Sequence, residues 1–453
     1  MSIDQKETDR TFNILCLFSS AHFFNGAILP VNLGILLKHL PGTSAQLISI
    51  MVALTTVTLL ISTIFFGFIS EKLKSKNAKK NTLIISESIF FIPVIFQALS
   101  PNFMFYFICA LIITFGTGAF TPLAVAMISE LYPPEERGNK FGQLGFLNIL
   151  GAGGGLLFGG LFIYFLGPFG WRFTKGLIAI LGFLDVVLYF YFGIEPERGR
   201  VEPEFQDFDG VIEYDYKITF SKFKQLLKKK TIAGIFLYIL VSMICVGPLS
   251  LWTIFYLSQK FGGENAILFA TILVILTGTG ALFGSIYGGK FGDKLYKKGH
   301  PRGRVLLSMV AIMLGVICLF IFYLIPFTPF NLTELIIIWI LLLIIGFSAY
   351  VLTSFPTSNI AAIYAEVCVP EERSYINSIS LIMSNIGTII GHLIVAIMIQ
   401  DSISNLSFVI SFLLVIFLVS TLLWIIPYIF YSREAAECRE LMRTRRIELD
   451  GRR

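Results

Sequence analysis

Glu130-Leu-Tyr-Pro-Pro-Glu-Glu-Arg-Gly138 is answered, in the second half of the chain, by Glu366-Val-Cys-Val-Pro-Glu-Glu-Arg-Ser374. The register is constant: Glu130 matches Glu366, Pro134 matches Pro370, Glu135 and Glu136 match Glu371 and Glu372, and Arg137 matches Arg373. It holds downstream, where Gly151 matches Gly387 and Gly155 matches Gly391. The shared positions are charged residues, Pro and Gly, not the Leu and Ile that an apolar background repeats by chance. Each copy is a charged loop between two long apolar segments, so the chain reads as two related halves.

The rest of the sequence says where such halves live. Of 453 residues, 55% are hydrophobic and 14% charged, and the mean hydropathy is +0.79. Soluble proteins carry about 25% charged residues, so this chain has too little polar surface to face water alone. A spanning helix needs roughly 20 apolar residues. Twelve segments qualify, at about 11–37, 45–70, 82–100, 102–127, 141–166, 172–193, 231–257, 266–288, 303–325, 333–358, 375–398 and 405–431. The alternating strands of a membrane barrel are absent. The expected fold is an all-α membrane protein, with twelve transmembrane helices in two pseudo-symmetric six-helix bundles. The expected divisions are 1–194, a cytoplasmic linker at 195–230, 231–432, and a basic tail at 433–453. Paired halves of this kind are the usual form of a secondary transporter.

Basic residues set the orientation. With the N-terminus inside, the outer loops hold Lys38, Arg172, Lys175 and Lys260, four of 35 Lys and Arg. Both termini are therefore expected in the cytoplasm, and the net charge of +6 is a topology signal. No basic cluster is interleaved with aromatics on a soluble domain, which excludes nucleic acid as a partner. In the linker, Phe220, Phe223, Leu226 and Leu227 share a helical face beside Lys222, Lys224 and Lys228–Lys230. This suits an amphipathic helix on the anionic leaflet, or simply inward-side charge. The six Cys have neither disulfide nor metal spacing. The first apolar stretch lacks a signal-peptide cleavage site. Asn331-Leu-Thr and Asn405-Leu-Ser are formal sequons lying against the membrane, and read as chance.

The chain resembles the major facilitator superfamily at several motifs. After the second segment stands Gly67-Phe-Ile-Ser-Glu71-Lys72, and after the eighth Gly289-Lys-Phe-Gly292-Asp293-Lys294. These resemble the family's loop of Gly, an apolar residue two positions on, Asp-Arg and then Gly-Arg; in the first copy Glu71 stands for the Asp and Lys72 for the Arg, and the later Gly-Arg is missing, while the second copy is closer. The resemblance implies an inner gate in which these charges latch to Glu130 and Arg137 in one half and Glu366 and Arg373 in the other. The fifth segment carries Gly142, Gly151, Gly155, Gly159 and Gly160, close to the family's glycine motif with Leu156 in the usual Pro place. That motif is common in exporters and antiporters, and glycines in register let helices pack tightly. Glu195-Pro-Glu-Arg-Gly-Arg-Val-Glu, Leu251-Trp252 and Phe255 resemble the spinster-like branch, which is associated with proton-linked movement of lysolipids and sphingoid amphiphiles. Where that branch has Asp-Arg on the first helix this chain has Ala21-His22; where it has Arg and Glu on the fourth, this chain has Ile112 and Ala119. Glu130-x2-Pro133-x3-Arg137-Gly138 also fits the inner loop of sugar porters.

Ionisable and polar groups at membrane depth are costly and mark candidate sites. His22, with Asn25 three residues on, is the titratable group expected in the cavity, as a substrate or proton site; the alternative is a neutral imidazole on a backbone carbonyl. Thr117, Asn148, Trp252, Tyr256, Tyr350, Asn385 and His392 complete the expected lining, Asn148 and Asn385 forming a matched polar layer. The sequence leaves Glu87 and Asp185 between packing and function. A cavity with no mid-depth Arg or Lys favours a neutral, zwitterionic or amphipathic small molecule. No catalytic set, metal cluster or phosphate loop is present, so no enzyme, metal or cofactor is expected. The expected partners are a small amphipathic substrate, membrane lipids and coupled protons, with the chain a monomer in the cell membrane. The readings are an exporter of an amphiphile or lysolipid, a carrier of sugar-like solutes, or a non-transporting sensor with the same fold.

Overall fold

The computed structural model describes residues 5–72, 77–195, 228–263, 265–300, 302–327, 331–369, 372–399 and 405–450. Among them the regular structure is helical. The first half holds α1 (Gln5–His39), α2 (Ala45–Lys72), α3 (Ala78–Ala98), α4 (Phe103–Leu131), α5 (Pro134–Leu166) and α6 (Gly170–Phe192). The second holds α7 (Lys230–Phe261), α8 (Ala266–Gly278), α9 (Gly280–Lys297), α10 (Gly303–Leu324), α11 (Leu332–Val367), α12 (Arg373–Ile399), α13 (Leu406–Thr421) and α14 (Ile425–Asp450). Eleven stretches of the described residues are long and apolar enough to span a bilayer. One of them, Asn139–Phe192, is 54 residues long and contains both α5 and α6. The chain reverses between them at Gly167, whose φ of 56° an L side chain rarely adopts, followed by Pro168. Twelve crossings result, α8 with α9 and α13 with α14 each making one.

The helices begin and end where local chemistry directs. Asn102 caps α4 by accepting from Phe105 N at 3.0 Å, and Asn331 caps α11 by accepting from Glu334 N at 2.9 Å. These are the fourth crossings of the two halves. The first sequon is thus a helix cap. Pro122 and Pro356 lie inside these two helices; in lipid such breaks are tolerated when neighbours satisfy the freed carbonyls. The last helix extends beyond the expected crossing, so the tail continues as α14 to Asp450. Most of the linker, including Phe220, Phe223, Leu226 and Leu227, lies outside the described residues, as do the side chains of the tail from Arg445 onward.

Contacts divide the chain into two compact units, Met1–Glu213 with Leu251–Thr271, and Tyr214–Ser250 with Ile272–Arg453. Each repeats the other's packing. In the first unit α4 packs on α2 and α3, and α3 also packs on α6. In the second, α11 packs on α9 and α10, and α10 also packs on α13. The pairings are second with fourth, third with fourth, and third with sixth crossing in both cases. The glycine register has the same logic. A Cβ on Gly151 or Gly155 would collide with the carbonyls of Ser20 and Phe24 on α1, and one on Gly387 or Gly391 with those of Leu240 and Ile244 on α7. The fifth crossing of each half lies backbone to backbone on the first, at glycines one turn apart. Close approach increases dispersion contact, which must drive helix association where lipid removes the hydrophobic effect.

Candidate functional site

Three polar residues on α1 tie it to three different helices. Ser19 Oγ donates to Asn148 Oδ1 on α5 at 2.5 Å. His22 Nε2 lies 2.9 Å from Glu87 Oε2 on α3. Lys175 Nζ on α6 donates to Asn25 Oδ1 at 2.7 Å. Steps of three residues turn a helix by about 300°, so these positions fan across α1, and the expected shared face of His22 and Asn25 becomes two separate clasps. The imidazole's partner is a carboxylate, not the backbone carbonyl of the alternative reading, and its ring lies 4.3 Å from that of Phe90 and 5.0 Å from that of Phe120. The His22 side chain is 7% exposed and that of Glu87 0%. Glu87 Oε1 has no hydrogen-bond partner among the described residues, and Asp185 and Tyr189 of α6 lie within electrostatic reach of this carboxylate. Lys175 is a further correction. Read from the sequence as an outer-loop charge, it is 3% exposed on the second turn of α6, so it is not a solvated loop residue.

The second unit carries a cavity of about 390 Å³ between α7, α10 and α11, a size typical of small-molecule sites. Tyr350 lines it, with Tyr238, Ser242, Ser250, Thr353 and Thr357 among the polar members, and none of its lining residues is charged. The hydroxyls of Ser242, Ser250 and Thr353 donate to carbonyls of their own helices, at 3.0, 2.6 and 2.9 Å. Their oxygens are left to act as acceptors. Asn385 is half-buried on α12. His392 is 2% exposed, and its Nδ1 has no hydrogen-bond partner among the described residues.

The other expected cavity residues lie in the first unit. Thr117 donates to the carbonyl of Ile113 at 3.1 Å. Trp252 is buried, its Nε1 has no hydrogen-bond partner among the described residues, and its ring meets that of Phe255 edge-on at 5.9 Å. Phe255 in turn packs against Gly34 of α1. Tyr256 is buried beneath Lys260, whose Nζ is 4.8 Å from the ring centre. The amide of Asn32 is buried without a hydrogen-bond partner among the described residues.

The charged loops are tied down in parallel ways, through residues their motif does not contain. Glu130 is bound by Lys79, and Glu366 by Arg304 Nη1 at 3.3 Å and by the Tyr431 hydroxyl. Lys79 and Arg304 are each the second residue of the third crossing in their half, α3 and α10. Arg304 also reaches Asp293 Oδ1 through Nη2 at 2.7 Å, so one guanidinium bridges both acids, as its planar fork allows. The first crossings are tied as well. On α1, Asp9 accepts from Tyr132 at 2.7 Å and Lys140 at 3.2 Å, and burial together with this bond holds the Tyr132 phenol above its ordinary range. At the start of α7, Lys229 Nζ donates to Val367 O at 2.7 Å and sits 3.6 Å from Glu372. Arg137 Nε donates to Tyr132 O at 3.0 Å. Lys294 is exposed at the end of α9. The side chains of Glu71, Lys72 and Arg373 lie outside the described residues.

Glycines expected to pack helices divide by contact. Gly151 and Gly155 meet α1, Gly159 lies 3.6 Å from Val31 and Gly160 3.3 Å from Thr271, measured from a Cβ built on each. Gly142 and Gly67 face open space for such an atom, while Gly289 would have Ser358 at 3.2 Å. Tight packing by α5 therefore begins at Gly151, a correction for Gly142. The partners Lys79 and Arg304 are what the sequence reading missed. Their signal was a basic residue at the same step of the third crossing in each half, outside the aligned loop.

Twelve crossings among the described residues, in two sets with matching pairings, glycine seams and loop clasps, define a multi-pass membrane transporter. The sequence profile of the Major Facilitator Superfamily matches residues 15–363, and the chain belongs to that family. It is accordingly a transporter and not an enzyme. No curated protein matches by sequence. Among solved structures, the fold is similar to a bacterial homologue of the human lysosomal transporter Spinster in an inward-facing, unoccupied conformation, with TM-score 0.73 and 16% identity over 97% of this chain and 99% of that one. It is also similar to the nucleoside transporter NupG (TM-score 0.68, 14% identity, 92% and 99% covered). A D-xylose–proton symporter has TM-score 0.65, 16% identity, and 92% and 97% covered. At these identities the likeness is one of fold.

Proposed function

We propose that this transporter works by alternating access, that its substrate is an amphipathic organic molecule of the lysolipid kind, and that it moves that substrate outward. In this reading the bundles 1–194 and 231–432 rock about a central site, the segment 195–230 joins them, and 433–453 forms the cytoplasmic tail. The loop clasps close the inner side, and both termini face the cytoplasm at the cell membrane. The observation that carries the substrate reading is the uncharged, aromatic and hydroxyl-lined cavity of the second unit. A strongly anionic solute would need a fixed cation there. A wall of rings and hydroxyl acceptors suits an apolar tail with a zwitterionic or donor-rich head. The fold likeness to the bacterial Spinster homologue and the branch motifs around Glu195 and Trp252 support the same class.

Proton coupling in this reading belongs to His22 and Glu87. A buried imidazole beside a buried carboxylate exchanges one proton at small cost, whereas either group charged alone in lipid is expensive. The same cavity's hydroxyls favour a second reading, a sugar-like solute, which the fold likeness to the D-xylose–proton symporter also supports. The deciding experiment uses purified protein in proteoliposomes with a pH gradient, offered labelled lysophosphatidylcholine or a labelled hexose. Protein-dependent, gradient-driven movement of the lysolipid is the expected result. Hexose uptake without lysolipid movement discards the amphiphile.

A further inference from the structure

At the basic end of the second unit a groove of about 820 Å³ opens between the end of α9, the start of α10 and α14. Its rim carries His300 and Arg302, both exposed. Its wall is Leu306, Val310 and Tyr428, with Ser432 beside the rim. Arg302 is held in place: its Nε donates to Ser432 Oγ at 3.2 Å, and its guanidinium lies 5.6 Å from the Tyr428 ring centre. A guanidinium has four further N–H groups with which to meet an anion. Lys294, Lys297 and Lys298 are exposed at and just after the end of α9. Below the rim, Leu306 (43% exposed), Val310 (39%), Leu314 (45%) and Ile321 (43%) form an exposed apolar path along α10.

We infer that this groove holds an anionic phospholipid of the surrounding bilayer, with its phosphodiester on Arg302 and His300 and an acyl chain along Leu306, Val310 and Leu314 of α10. A cationic rim continuous with a lipid-facing apolar stripe matches an anionic head with a tail, in that order along the membrane normal. A soluble phosphate would use the rim alone and leave the stripe without purpose. The lipid would pin α10 and α14 together on the side away from the bundle interior, beside the Arg304–Asp293 clasp.

The test is competition for the purified, delipidated protein between phosphatidylglycerol and phosphatidylcholine, read by native mass spectrometry and by thermal stabilisation. Wild type is expected to retain phosphatidylglycerol preferentially and to lose that preference in high salt. Removing the Arg302 cation, in Arg302→Ala, should weaken the preference about fivefold, His300→Ala, which removes one N–H donor, should weaken it less, and Arg302→Lys should keep most of it. Equal retention of the two lipids by wild type overturns the proposal without any variant. A folded Arg302→Ala/His300→Ala double variant that keeps its preference overturns it as well. Equal stabilisation by water-soluble glycerophosphoglycerol would reduce the groove to a phosphate site and remove the lipid.

Discussion

His22 and Glu87 show how a single residue's meaning is completed by a partner that sequence order hides. An imidazole in the middle of an apolar helix was legible as costly and therefore purposeful. Its partner was not, because Glu87 is on another helix and the local spacing pointed to Asn25. Breaking such a buried pair strands its other member. Glu87→Leu is expected to destabilise by about 3 kcal/mol, and His22→Phe/Glu87→Leu to recover most of the loss, in a double-mutant cycle by thermal unfolding in detergent. Additive losses would mean the two groups are not coupled. In proteoliposomes His22→Ala should remove the pH dependence of transport; unchanged dependence in a folded variant removes this pair as the proton site. The gate acids are a similar case. Glu130 and Glu366 stand out through their repetition, yet Lys79 and Arg304 lie outside the repeated loop. Arg304→Lys keeps the charge but not the two-acid fork, so it should lose about 1.5 kcal/mol of stability, whereas Lys294→Ala, at an exposed site, should leave unfolding unchanged.

Among the elements, α5 is where sequence and structure agree most closely and where their one difference is informative. The glycine series was visible as a packing motif. Which of its members touch anything depends on where α1 runs, and no spacing rule contains that. Gly155 lies against the Phe24 carbonyl and Gly142 against open space. Gly155→Val should therefore cost about 2 kcal/mol or more through overpacking, and Gly391→Val on α12 should cost as much. Gly142→Ala should be neutral or slightly stabilising, because it removes a flexible residue from a helix. Ranking the three by unfolding temperature checks the assignment, and a Gly142 variant as damaged as Gly155→Val would refute it. Helix ends were read less well. The sequence began the third crossing near residue 82, but α3 starts at Ala78 with Lys79 already folded inward, because a paired Lys is tolerated where an unpaired one is not.

Across the whole molecule, the twelve crossings and the two-fold repeat were legible because lipid imposes them: every backbone group must be bonded within its own segment, and length follows from bilayer thickness. The cavity was legible only in part. Tyr350 lines it, whereas Tyr238, Ser242 and Thr353 depend on how α7 rotates against α10 and α11. Orientation can be tested directly. Lys6→Cys and Glu437→Cys should react with a membrane-impermeant maleimide in inside-out vesicles only, and His39→Cys in right-side-out vesicles only; the opposite pattern inverts the topology. The three clasps of α1 also bear on how the molecule is made. α1 leaves the ribosome before Glu87, Asn148 and Lys175, which arrive with α3, α5 and α6. Until then Ser19, His22, Asn25 and the bare carbonyls facing Gly151 and Gly155 meet lipid or the insertion machinery. α1 thus reaches its full set of partners only when α6 has followed it, and biosynthesis must shelter it until then.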